Sequence, residues 1–254
     1  MTFTTKKIFI IIVLILVLSV SCSSEKVKDL SDLNGKMIGI LQNNKADLLD
    51  IEAIYKDFDN LNEAVEALKT RQIDALLHEQ TTLNKINREN KKLRMLESVD
   101  ILSNYAFAVR LDNILLKNVI DKTFELLASS GIMDDIEKRW LSFEPQTQIM
   151  PEFDLNSGNR VLRFGTSANN EPFSFIDKDG NIVGIDIELA HHIAQALDMN
   201  LEIINMRYAA LVPAIQGIRV DIIGAGIVIS EELEKRVIFS KPYFEGQVGV
   251  LVRK

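Results

Sequence analysis

One cysteine in 254 residues leaves no partner for a disulfide within the chain, so stability has to come from a packed core. Proline and glycine are also scarce, with five and twelve residues, so the chain is neither disordered nor collagen-like. Nor is there an excess of positive charge: the formal charge is -7, and without the first 21 residues, which carry Lys6 and Lys7 and no acid, it falls to -9. A nucleic-acid partner, which calls for a basic face, is therefore not expected. The longest uninterrupted apolar stretch, Ile8 to Leu18, is shorter than the roughly 20 residues a membrane-spanning helix needs.

That stretch has another reading. Lys6 and Lys7 precede it, and the small residues Ser19, Ser21 and Cys22 follow it, the order of an export signal. The lone cysteine stands where such a signal is cut. The arrangement resembles a bacterial lipoprotein signal, which makes Cys22 the lipidated anchor residue and implies a protein exported to the periplasm or cell surface and tethered to the membrane. Ser19 and Leu18 stand one place out of the usual pattern, so an ordinary signal peptide or an uncleaved anchor is the alternative.

Hydrophobic residues make up 47% of the chain and charged residues 26%, the balance of a well-buried globular protein. Strand-like and helix-like segments alternate, which marks an α/β fold. The spacing predicts strands at 36–41, 73–79 and 105–110 and a helix over "LNEAVEALKTRQ", with apolar residues at Leu61, Ala64, Val65 and Leu68. Two further helices cover "NILLKNVIDKTFELLASSG" and "IMDDIEKRWL", broken at Gly131. Residues 142–159 hold two prolines and a glycine without apolar period, and read as a linker. The α/β rhythm then restarts. A hairpin turning on Asp179-Gly180, a helix over "GIDIELAHHIAQALDM", strands at "LEIIN" and "VDIIGAG", and a final β-branched strand from Gln247 to Arg253 are expected.

Several pieces of the second half occur together in a particular order: Pro172-Phe173, Asp179-Gly180, Gly184 with Asp186, "LVPAIQ", "VDIIGAG" and "FSKPYF". In this it resembles the first lobe of the extracellular solute-binding proteins of family 3, bilobed receptors that deliver amino acids and similar solutes to ABC importers. "LSDLNGKMIGILQ", "EALKTRQIDALLHE", "YAFAVR" and "LLKNVIDKTFELLASSGIMDDIEKRW" are similar to the rest of the same fold, yet they come first. The resemblance implies a two-lobed α/β fold of the periplasmic-binding-protein type, each lobe a mixed sheet flanked by helices, in circularly permuted order. The expected division is a signal at 1–21, a tether at 22–32, the second lobe at 33–104, a hinge crossing and closing helices at 105–141, the linker at 142–159 and the first lobe at 160–254. Eighteen linker residues reach roughly 60 Å, enough to join the usual termini. A fragment of a tandem array, the end of one binding domain followed by the start of another, is the rival account.

Carried over by motif position, the resemblance implies ligand contacts at Asn170, Phe173, Tyr208, Ala225, Gly226 and Val228 in the first lobe. Asn43, Asn44, Lys45 and Glu79 would come from the second. The arginine that commonly holds a ligand carboxylate in this family is replaced by Leu233, with Lys235 and Arg236 just beyond. The assisting hydroxyl is Val228 and the stacking aromatic is Asn170. A standard α-amino acid ligand is therefore doubtful, and Glu79 is the heir to the acid that receives an α-amino group. The expected function is capture of a small polar solute for an ABC permease, with a sensor or regulatory module as the alternative. His78, His191 and His192 do not make a metal-ligand spacing, Gly224 and Gly226 lack a third glycine for a dinucleotide loop, and no nucleophile with a base is visible. No cofactor, no metal and no enzymatic activity are expected.

Overall fold

A computed structural model of the chain describes residues 27–41, 51–96, 101–142, 147–154 and 160–254. Cys22, Asn43, Asn44 and Lys45 lie outside them. The first elements are β1 (Met37–Leu41), β2 (Ile54–Phe58), α1 (Leu61–Lys69), β3 (Ala75–Glu79), α2 (Gln80–Glu89) and β4 (Leu93–Met95). Asn60 caps α1 by accepting from the Glu63 amide, 2.9 Å away. The chain then crosses through β5 (Leu102–Tyr105) and β6 (Ala108–Val109) into the helical pair α3 (Ile114–Ser129) and α4 (Ile132–Leu141). Gly131 separates the two helices at φ +80°, a conformation that L side chains disfavour.

The second half supplies β7 (Val161–Thr166), β8 (Asn169–Asn170), β9 (Ser174–Ile176), β10 (Ile182–Val183), α5 (Ile185–Ala196) and β11 (Asn200–Asn205). A 3-10 turn at Tyr208–Ala210 leads into α6 (Leu211–Gln216), followed by β12 (Ile222–Ile223), α7 (Glu231–Glu234), β13 (Ile238–Phe239) and β14 (Phe244–Arg253).

These strands form two mixed sheets and one small antiparallel sheet. The order β2-β1-β3-β14-β4 makes the first, with β1 parallel to both neighbours and β14 antiparallel to β3 and β4. The second has the order β11-β7-β12-β6-β13, in which β6 is antiparallel to β12 and β13. Strands β8, β9 and β10 form the third. The chain thus leaves the second sheet after β13, and the last strand, β14, enters the first between β3 and β4. Between the sheets β14 pairs antiparallel with β5, so two strands cross side by side.

Buried apolar residues cover both faces of each large sheet. Ile38, Ile40, Ala75, Leu77, Val250 and Val252 fill one face of the first sheet, and Leu41, Leu68, Leu76, Leu83 and Leu251 the other. In the second sheet Phe164 and Ile222 pack under α3, α4 and α5 with Phe107, Phe124 and Trp140, whereas Ala108, Ile223, Ala225 and Val237 pack against α6. Unbroken burial from Val248 to Val252, in which neighbouring apolar residues serve opposite faces, explains the near-continuous hydrophobic sequence of β14.

Three local expectations change. Residues 105–110 are not one strand: the chain passes between sheets at Ala106–Phe107, with β5 before and β6 after. The turn around Asp179-Gly180 is longer than two residues, because β9 and β10 end at Ile176 and Ile182 and the Asp177 carboxylate accepts from the amides of Asp179 and Asn181 at 2.9 and 2.8 Å. Part of the 142–159 linker is packed. Phe153 stacks on His191 at 4.5 Å between ring centroids and meets His192 edge-on at 5.0 Å. Burial and the neighbouring His192 push His191 down to about 4, so both rings meet Phe153 uncharged at neutral pH.

Candidate functional site

The first-sheet side of the candidate site begins at the C-terminal end of β3. Glu79 is 2% exposed, and its carboxylate caps α2 by accepting from the Thr81 and Thr82 amides at 2.7 and 2.8 Å and from the Thr82 hydroxyl at 3.0 Å. An acid here is held by the helix N-terminus, which favours negative charge. Burial first, and the charge of Glu79 second, push the Tyr105 hydroxyl above its ordinary value.

From the second-sheet side come β8 and the loop after it. Asn170 is 2% exposed, and its Nδ2 donates to the Ala225 carbonyl at 3.2 Å. Phe173 is fully buried and stacks on Tyr105 with centroids 4.6 Å apart. Phe244 completes this cluster, 5.5 Å from Tyr105 and 5.9 Å from Phe173. Ala225 and Gly226 lie in the floor loop after β12. The loop is held from below by Asp186, whose carboxylate accepts from the Gly226 amide at 2.7 Å and from the Tyr243 hydroxyl at 2.5 Å. Burial raises Asp186 to about 7, opposed by those two hydrogen bonds. Gly226 has φ +64°, and a Cβ on it would lie 2.6 Å from Asn170 Nδ2, so the backbone there has to be glycine for Asn170 to reach Ala225.

Val228 is half-buried and forms a bridge to Tyr105. Tyr208 is half-buried at the start of its 3-10 turn, and its hydroxyl is pushed up by burial and then by Asp57 of β2, across the gap between the sheets. Two polar contacts also bridge that gap. Lys85 of α2 pairs with Glu171 at 2.9 Å, and Asn169 Nδ2 donates to the Asp59 carbonyl.

Glu79, Asn170, Phe173, Ala225, Gly226 and Val228 therefore lie around the β5–β14 crossing, and Tyr208 packs in the cluster on the α6 face. Leu233, on α7, packs with Tyr208 and Ile227 on the α6 face, while Lys235 and Arg236 are exposed. Sequence reasoning passed over Tyr105 and Asp57 as site residues. Tyr105 carried a signal, an aromatic in the crossing segment 105–110; Asp57 carried none.

Comparison with known proteins matches residues 162–254 to the model of the bacterial extracellular solute-binding proteins, family 3. Over these residues the chain is similar to that family. Its members are solute-binding proteins, not enzymes, and are extracellular. Among curated relatives, the putative ABC transporter arginine-binding protein 2 of Escherichia coli is 36% identical over 85 residues, covering 34% of this chain and 35% of that protein. The arginine-binding extracellular protein ArtP of Bacillus subtilis is 34% identical over 98 residues, covering 39% and 38%. The probable histidine-binding protein of Neisseria gonorrhoeae is 33% identical over 95 residues, covering 37% and 35%. The chain thus spans about a third of the length of these relatives. Among solved structures, the arginine-bound form of domain 1 from TmArgBP is 39% identical, covering 41% of this chain and 87% of that one, with a TM-score of 0.34. The α/β class, with mixed sheets flanked by helices, is the one expected from the sequence.

Proposed function

We propose that this chain is an exported solute-binding protein that captures a small polar solute, an amino acid or a related compound, between its two sheets and presents it to an ABC permease. The supporting observation is the convergence of Glu79 from one sheet with Asn170 and the Ala225–Gly226 floor from the other, around paired crossing strands. Crossing strands of this kind form a hinge about which lobes close on a ligand. The chain acts by binding and not as an enzyme, needs no cofactor or metal, and is tethered to the membrane through a lipid on Cys22.

The same reading takes the chain as one binding fold in rotated order, with its second lobe at 33–104, hinge crossing and closing helices at 105–141, linker at 142–159 and first lobe from 160. Insertion of β14 between β3 and β4 supports this order over a tandem fragment, since the last strand completes the sheet built by the first half. Asn43, Asn44 and Lys45, after β1, belong to the same cleft in this reading.

The test is a thermal-shift screen of the mature protein against amino acids, amines, short peptides and organic acids, because a ligand of the folded state raises the melting temperature. At least one compound is expected to give a saturable rise that Glu79→Ala reduces. Leu233 and Val228, apolar where the family clamps a carboxylate, favour a second reading, a sensor with an altered site; a screen with no rise from any compound would select it.

A further inference from the structure

The two ends of the first sheet differ in charge. Strand β3 ends at Glu79, in the candidate site, and begins at the opposite end, where three segments meet. The Lys254 amide donates to the Lys92 carbonyl at 3.0 Å. Arg253, level with Leu93, donates to the Leu68 and Ile73 carbonyls and pairs with Asp74 at 3.2 Å. The turn after α1, the turn before β4 and the end of β14 thus share one surface. Residues 66–74, 88–94 and 253–254 carry eight cationic side chains and three acidic ones, in a chain whose formal charge beyond residue 21 is -9. Two of the acids are already paired, Glu66 with Lys69 at 2.8 Å and Asp74 with Arg253. Arg71, Lys91, Lys92 and Lys254 are exposed.

The chain enters the same sheet beside these cations. Val27 is buried with Leu33, Leu96 and Val252, and its carbonyl accepts from Arg94 of β4. Asp29 and Asp32, the acids of the entering segment, cap the 3-10 turn at Leu30–Leu33, Asp29 accepting from the Ser31 amide at 2.9 Å and Asp32 from the Lys28 amide at 2.7 Å. Val27 follows Cys22 by five residues, which span at most about 18 Å. A lipid on Cys22 therefore keeps the basic end of the sheet near the bilayer.

We propose that this basic end of the first sheet is a docking surface for an anionic phospholipid bilayer. The proposal rests on the Cys22 anchor of the reading above for proximity, and not on solute binding. Attraction of Lys and Arg to an anionic bilayer acts within about a Debye length, and a cluster of about four to eight is the footprint of such binding. The anchor brings the surface close; the charge sets its orientation. Because β3 runs away from this end, docking turns Glu79 and the candidate site away from the headgroups. The first-sheet lobe is then held at the membrane, and the second-sheet lobe moves about the crossing strands.

The test is co-sedimentation of the mature protein carrying Cys22→Ser, and hence no acyl chain, with vesicles of phosphatidylcholine alone or mixed equally with phosphatidylglycerol. At low salt, saturable binding is expected to the mixed vesicles only, falling as salt is raised. Lys91→Glu combined with Lys92→Glu should weaken it by about tenfold or more. Reversing Lys122 on α3 and Lys178 in the β9–β10 turn, both exposed, changes the net charge equally and should alter binding by less than about twofold. Melting temperatures of both double variants check that the fold is kept. No binding to the mixed vesicles, equal binding to phosphatidylcholine, or equal losses in the two double variants overturns the docking surface. Equal affinity for soluble dextran sulfate at the same salt overturns its assignment to a bilayer. The probe carries neither lipid nor solute, so these results stand apart from the lipidation of Cys22, read from the mass of the exported protein, and from the thermal-shift screen.

Discussion

Phe244 stands directly opposite Tyr105 in the antiparallel register of β14 and β5, and both rings lie against Phe173. The two crossings and the loop after β8 thus share one aromatic cluster.

Phe173 separates packing from ligand contact. With the side chain fully buried, Phe173→Ala should cost about 3–5 kcal/mol in urea denaturation, the range for deleting a buried aromatic. A loss below about 1 kcal/mol with abolished solute binding would instead make it a cleft wall.

Asp186 predicts a pH dependence. Its carboxyl, ordinarily near 3.8, is raised by burial to about 7, so between these values the folded protein holds a proton that the unfolded chain releases. Stability from this group is then present at acid pH and falls as pH rises from about 4 to about 7, by on the order of a few kcal/mol. Asp186→Asn should flatten that fall when melting temperatures of variant and parent are compared across the window, since the amide can still accept from Gly226 and donate to Tyr243. His191, lowered by burial, contributes in the opposite direction and is common to both proteins, so the difference isolates Asp186.

Gly226→Ala should lower both stability and affinity. The added methyl meets Asn170 Nδ2 at 2.6 Å and the Phe173 ring at 2.8 Å, in a backbone conformation with φ +64°. Strain of this kind costs roughly 1–3 kcal/mol. Screening the variant against the solute that shifts the parent should show the binding loss exceeding that of Phe173→Ala at matched stability.

Lys85→Gln should weaken solute binding by less than about fivefold. The Lys85–Glu171 pair bridges the sheets at 2.9 Å, but both side chains are about a third exposed, and such pairs contribute at most about 1 kcal/mol. Titrations at low and high salt should converge for parent and variant as screening removes the difference.

Most of the elements were legible because their periods are strong: Leu61, Ala64, Val65 and Leu68 on α1, or the β-branched run of β14. β2 escaped notice since "IYKDF" is an edge strand only half-buried, with Lys56 and Asp57 interrupting any apolar run. The helix 185–196 is expected from the sequence, but its pattern does not tell that Asp186 holds the floor loop or that Glu188 accepts from Trp140 Nε1 at 2.7 Å and pairs with Arg139 at 2.5 Å. These are contacts between segments far apart in the chain. The resemblance located Asn170 and Gly226 by motif position, whereas the stacking of Tyr105 and Phe244 on Phe173 depends on the pairing of β5 with β14 and is not written in any one segment.

Seating β14 in the middle of the first sheet has a kinetic consequence. Arg253 donates to the carbonyls of Leu68 and Ile73 and pairs with Asp74, 179 positions away. Strands β1 to β4 are made early in translation, yet their sheet lacks the strand between β3 and β4 until residues 244–253 arrive, and contacts of such separation slow folding. In the interval β3 and β4 expose strand edges to any neighbouring chain. The first-made sheet is thus the last to close, and the stage at which the protein is most open to chaperones, proteases or misassembly is the wait for its own final strand.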